Sequence, residues 1–197
     1  MKARAGKRNA GGGSPPDPSL STTSHPALLD RGSDQRFRQL VYDLLTLSVR
    51  MEMVREHLGR QMSISGPQYS VLVAVAHLQG AGGVSVGALA KALHVSSAFI
   101  ATETRKLAEA GLVEKVPNPE DRRGVLISLS RAGNAQIARL TPAIRAVNDQ
   151  FFAPLSRSAF EAMSSASAAL VKSSARVMTR LHVIEQDASI RRLEAAE

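Results

Sequence analysis

At 197 residues with 44% hydrophobic content, the chain is long enough for one domain with tails and a real core. Its formal charge of +8 and pI near 10.6 point to a polyanionic partner, either nucleic acid or an anionic membrane surface. The absence of Cys excludes disulfides, thiolate metal sites, cysteine nucleophiles and thiol redox sensing, and an aromatic content of 4% with no Trp favours helices over a sandwich or barrel.

Residues 1–33 are rich in Gly, Pro and Ser, with Lys2, Arg4, Lys7 and Arg8 at the front. Such a segment buries too little apolar surface to offset its chain entropy and reads as a disordered basic tail. Two roles stay open for it, a solvated tail or an arm that tracks phosphates. The basic N-terminus lacks an apolar export segment, and no stretch approaches the roughly 18 apolar residues that span a bilayer. A cytoplasmic protein with no membrane partner is therefore expected.

From Gln35 to Leu58 the apolar residues fall at Phe37, Leu40, Leu44, Leu47, Met51, Val54 and Leu58, in steps of three and four. That is the seam of a long amphipathic helix, which packs either on the domain's own core or on the same helix of a second copy. Near Ser65 the next helix starts, with Pro67 placed where its missing N–H is harmless, and the glycines at 80, 82 and 83 end it. Those glycines follow no strand and fit neither the dinucleotide fingerprint nor the P-loop, so they read as a linker.

An extended piece around Val84 leads to Ser85, an N-cap, and a compact helix from Val86 to Leu93. His94 and Val95 form a turn, Ser96 caps again, and a second helix runs from Ser97 to Ala110 with Gly111 at its end. Strands at 112–116 and 125–129 enclose the charged stretch from Pro117 to Gly124, a β-hairpin. A helix follows from Ser130 to about Gln150, bent or interrupted at Pro142, then another from about Ser158 to Val183. Residues 184–197 read as a frayed tail.

Short helix, tight turn, capped helix and hairpin, in that order, make a winged helix-turn-helix. An α-helix fits the major groove of B-DNA, its partner braces it across the backbone, and a hairpin can carry a cation to the neighbouring minor groove. The expected fold is mainly α with a small β-hairpin wing, the winged helix-turn-helix at 84–130 being flanked by long dimerisation helices at 34–60 and 131–183.

The stretch LVEKVPNPEDRRGVLISLSRAG at 112–133, with Asp121, Arg122 and Arg123 at its centre, resembles the strand, wing and strand of the MarR family. VGALAKALHVSS and KLAEAGLV are similar to that family's helix pair, and PQYSVLVAVAHL to the helix before it; the resemblance covers about 35–183. It implies a MarR-type domain at 34–183 that forms a homodimer through its terminal helices. It also implies a recognition helix in the major groove of double-stranded DNA, with wing arginines near the minor groove. A small, often anionic aromatic effector would occupy a cleft lined by the helices at 35–60, 66–79 and 131–150. Two copies would read half-sites about one helical turn apart, a roughly palindromic operator.

Carried onto this chain, the DNA contacts fall on Arg122 and Arg123 of the wing and on Ser96, Ser97, Phe99, Thr102, Arg105 and Lys106 of the second helix. Arg123 is the first choice for a minor-groove or phosphate contact. The chain departs from the family at Thr102, where a basic residue is common, and Ala98 with Phe99 make the groove-facing surface unusually apolar. Phe99 is open to two readings, a contact with thymine methyl groups or a core residue.

Residues 85–125 carry six Lys or Arg against five Asp or Glu, so the reading head holds little of the excess charge. A sequence-tolerant nucleoid protein is therefore the main alternative to a specific ligand-responsive repressor, with a winged protein-interaction module behind it. The five His residues are scattered, no HExxH or GxSxG occurs, and neither an enzyme, a metal site nor a cofactor is expected.

Overall fold

The computed structural model describes residues 20–119, 121 and 124–194, the stretch 188–194 as helix backbone. By contacts the chain divides into two units, Met1–Leu140 and Thr141–Glu197. The described part of the first opens with α1 (Gln35–Arg60) and α2 (Gly66–Leu78), followed by β1 (Val84–Ser85), α3 (Val86–Leu93) and α4 (Ser97–Glu109). Strands β2 (Val113–Pro117) and β3 (Val125–Leu129) come next. Helix α5 (Arg131–Phe152) starts in the first unit and continues into the second, which also holds α6 (Arg157–Glu194). The architecture is mainly α with a small sheet, as the order of caps and breakers predicts.

Side-chain caps set the helix starts. At α2 a capping box is complete: the Ser65 hydroxyl accepts from the Gln68 amide, and the Gln68 side chain accepts from the Ser65 amide. The Gly66 amide also donates to Glu56 of α1 at 2.9 Å, placing a carboxylate at the positive end of α2. Ser85 caps α3 by accepting from the Ala88 amide, and Ser96 caps α4 by accepting from the Phe99 amide. Between them His94 turns the chain at φ 55°, a left-handed conformation that non-glycine residues adopt uncommonly. After α4, Gly111 supplies φ +70°, which favours glycine for want of a Cβ.

The sheet has the order β1-β3-β2, all antiparallel, with Val84 opposite Ile127 and Val113 opposite Leu129. The extended piece before α3 is thus a third strand that anchors the helix pair to the hairpin. The Gln79 side chain at the end of α2 accepts from the Leu129 amide at 2.7 Å, tying that helix to the same strand.

The core of the first unit lies where α2, α3, α4 and β3 meet. Leu72, Val75, Leu89, Ile100, Leu107 and Ile127 are fully buried there. Each such side chain contributes about 1.5–3 kcal/mol relative to exposure.

In contrast, α1 is buried only at Leu58 and Gly59, while Leu40, Leu44, Leu45, Val49, Met51 and Met53 are 43–65% exposed. Of the predicted seam, Leu58 alone is covered within this chain, and Phe37, Leu47 and Val54 are half-buried. In the second unit, α6 leaves Phe160, Leu170, Val177, Met178, Leu181 and Ile184 exposed. Pro142 is accommodated within α5, without a break.

Two stretches differ from the sequence reading. The tail lies outside the described residues as far as residue 19, but from Leu20 onward it is built. A 3-10 turn at Pro26–Leu28 and a bridge from Asp30 to Ser33 lead to Asp34, whose carboxylate accepts from the Thr22 amide and hydroxyl at 2.7 and 2.8 Å and pairs with Arg38. Composition misses this clip because three polar residues hold it, with little apolar burial. At the other end α6 continues past Val183 to Glu194.

A tight junction joins the hairpin to α5. The Ser130 hydroxyl donates to the Gly111 carbonyl at 2.6 Å and accepts from the Gly133 amide at 2.9 Å. A Cβ on Gly133 would meet the Leu112 carbonyl oxygen at 2.0 Å, so no side chain fits there unless backbone moves. Gly133→Ala is expected to destabilise the first unit by at least about 1–3 kcal/mol, read as a lower urea midpoint with unchanged m-value.

The Thr22 amide and hydroxyl, assisted by Arg38, hold the Asp34 carboxyl below its ordinary 3.8 against the opposing effect of burial. A carboxyl depressed in the fold stabilises it fully above the ordinary value, and that contribution fades as pH falls through the depressed one. The protection factor of the Thr22 amide, its exchange rate referred to the intrinsic rate at each pH, should therefore fall on acidification below the ordinary carboxylate range, and Asp34→Asn should abolish that dependence.

Candidate nucleic-acid interface

Helix α4 has two faces of opposite character. Ile100, Thr104 and Leu107 are fully buried and Glu103 is 7% exposed, so this stripe turns inward. The Thr104 hydroxyl donates to the Ile100 carbonyl at 2.8 Å, which keeps a buried polar group satisfied within the helix. The opposite side, Ser97, Ala98, Ala101, Thr102, Arg105 and Lys106, is exposed. Helical periodicity, with 3.6 residues per turn, forces this division once the inward stripe is fixed.

The expected contact residues separate on this geometry. Ser97, Thr102, Arg105 and Lys106 share the exposed side. Ser96 is exposed too, but its hydroxyl is engaged as the cap of α4. Phe99 is half-buried at the margin between the two faces, fully committed neither to the core nor to the outward surface.

Both cations pair along the helix. Arg105 bonds Glu109 at 2.8 Å with both side chains more than 60% exposed, and Lys106 bonds the buried Glu103 at 2.9 Å. Exposed pairs of the first kind are worth little, about 0–1 kcal/mol, so a phosphate competes readily for Arg105. Arg122 and Arg123, expected on the wing, lie outside the described residues.

Sequence reasoning missed a groove beside α4. It has a volume of about 630 Å³ and is lined by Ser85, Val86 and Gly87 at the start of α3, by Ser97, Ala98 and Ala101 of α4, and by Asn118, Asp121, Gly124 and Val125 of the hairpin. The hairpin closes through the Asn118 amide donating to the Gly124 carbonyl at 3.0 Å and the Gly124 amide donating to the Asp121 carbonyl at 2.8 Å. Only the fold brings these segments together. The available signals were the two Ser caps, which place two helix N-termini near the hairpin.

Lys115 on β2 was also missed. Partial burial and the nearby Arg105 guanidinium push its amine below the usual lysine value, while Glu109 pulls it back. Two like charges are thus held close enough to destabilise each other, a cost that an anion bound near both relieves.

Among the described residues no cluster of three His, Asp or Glu could hold a metal ion, and no helix is long and apolar enough to cross a membrane.

These features define a winged helix-turn-helix protein: a helix pair, each member capped by serine, with an antiparallel hairpin beside the second. Residues 62–124, from before α2 to the turn of the hairpin and short of β3, match the family model described as MarR family.

The MepR–DNA complex of S. aureus is similar in structure with a TM-score of 0.59 at 20% identity, covering 68% of this chain and 96% of that one. A mutant MarR from E. coli complexed with operator DNA gives 0.57 at 19%, covering 70% and 99%. The PcaV transcriptional regulator from Streptomyces coelicolor, in complex with its natural ligand, gives 0.52 at 24%, covering 65% and 91%. Comparison with curated protein sequences finds no match.

The cap of α4 carries a direct expectation. Ser96→Ala should cost about 1 kcal/mol of stability, measured by urea unfolding, and Ser96→Asp should restore it.

Proposed function

We propose that the protein is a sequence-specific, DNA-binding transcriptional regulator of the MarR type, a ligand-responsive repressor that acts in the cytoplasm as a homodimer on a palindromic operator. The observation that carries this reading is α4: capped, held by its buried stripe, and presenting its outward face next to a hairpin. An α-helix of this kind enters the major groove, and the wing reaches toward the flanking minor groove with Arg122 and Arg123.

Support for the homodimer comes from the apolar side chains left uncovered on α1 and on α6. Monomers rarely expose such extended apolar surface. A two-fold dimer then presents two α4 helices to half-sites about one helical turn apart. The effector is a small molecule, by analogy with the ligand complex among the similar structures.

One observation favours a second reading, a sequence-tolerant nucleoid protein. Residues 85–125 are nearly balanced in charge, and Arg105 and Lys106 both start out ion-paired. Such a protein would bind all duplexes about equally.

Fluorescence anisotropy with the duplex upstream of the protein's own gene and a scrambled control, at two salt concentrations, separates the readings. The regulator prefers its operator by on the order of a thousandfold. Arg123→Ala should weaken binding and, if the contact is to phosphate, lower the salt slope by about one. Equal affinity for both duplexes supports the nucleoid reading, and binding to neither supports a protein partner or a ligand required for binding.

A further inference from the structure

We infer that α4 reads its half-site chiefly through thymine methyl groups, so that the operator core is A·T-rich and recognition depends on the 5-methyl of thymine; this rests on the DNA-binding reading above. The argument comes from what the outward face can offer. Base discrimination by hydrogen bonds uses bidentate Arg or Lys on guanine and Asn or Gln on adenine, whereas the thymine methyl is read by apolar contact from Ala, Thr methyl or Phe. On α4 the exposed side presents Ala98, Ala101 and the methyl of Thr102, and the helix contains neither Asn nor Gln.

The two cations do not offset this. Lys106 is drawn toward the buried Glu103, and Arg105 lies toward the C-terminal end, against Glu109 and within the field of Lys115. That setting suits a phosphate, which takes both positive charges, better than a guanine edge.

The groove beside α4 is lined on that helix by Ala98 and Ala101, with Val86 and Val125 also apolar and Asn118 and Asp121 polar. A Cβ built on Gly87 would have no heavy atom within 4 Å, so that wall is open. On α4 itself the short side chains of Ala98 and Ala101 let base edges come close to the helix axis, where a single methyl makes full contact. A long polar side chain there would hold the duplex off. Ser97 contributes a hydroxyl at the start of α4 and is compatible with either strand.

The test uses the full-length protein and a randomised duplex pool. Sequences retained through several rounds are aligned, and the enriched site is resynthesised with deoxyuridine replacing thymidine, one position at a time. This removes only the methyl and leaves the protein unaltered. The expected result is an A·T-rich core in which deoxyuridine at one or two positions per half-site weakens binding about threefold to fivefold each, while replacements outside the site have no effect.

A site anchored by guanines, or an enriched site indifferent to deoxyuridine throughout, overturns the inference while leaving the operator-binding reading intact. Failure of any sequence to be enriched overturns both.

Discussion

The orientation of α4 depends on one constraint, the inward stripe of Ile100, Thr104 and Leu107 packed into the core formed with α2, α3 and β3. No Trp or Phe fills that core. Leu, Ile and Val do, with Thr104 closing its own hydroxyl onto Ile100. Branched aliphatic side chains and a self-satisfied threonine pack densely and lose much of their freedom, so the helix has little scope to rotate about its axis. Fixing the stripe fixes the opposite face, and with it the exposure of Ala98, Ala101, Thr102 and Arg105.

The second constraint is the junction after the hairpin. Ser130 bonds Gly111 on one side and Gly133 on the other, and Gly133 lies against the Leu112 carbonyl. The loop that ends α4 and the first turn of α5 are therefore locked to one another through backbone contacts. A change at the start of α5 transmits to the end of α4 without an intervening flexible segment.

Much of the fold was legible in the sequence because the signals were local. Ser65, Ser85 and Ser96 announce helix starts, Gly111 ends one, and periodicity fills the intervals; the strand at 125–129 also matches the expected bounds. The clip at Thr22, Asp34 and Arg38 was not legible, since it rests on contacts twelve and four residues apart among polar side chains that composition assigns to solvent. Nor was the third strand's role clear, because a two-residue segment has no periodicity to read. For the candidate interface, the sequence supplied the helix and the residues on it, but not their state. That Arg105 and Lys106 begin ion-paired, that Phe99 lies at the margin of the core, and that Lys115 stands close to Arg105 all depend on tertiary placement.

The charge balance of the reading head follows from the same geometry and bears on how such a surface can bind a polyanion at all. Glu103 is buried, so its pairing partly neutralises Lys106, whereas Glu109 is exposed and releases Arg105 more readily. A duplex approaching α4 thus gains one helix cation by exchange and finds a second at Lys115. On the proposed DNA-binding reading, the rest of the attraction would fall to cations outside α4, which residues 1–60 and 131–197 supply in excess over carboxylates. If α4 reads bases as proposed, affinity and specificity separate: phosphate contacts, that of Arg105 included, would supply salt-dependent attraction, while the apolar part of the helix face would supply discrimination that salt leaves largely unchanged.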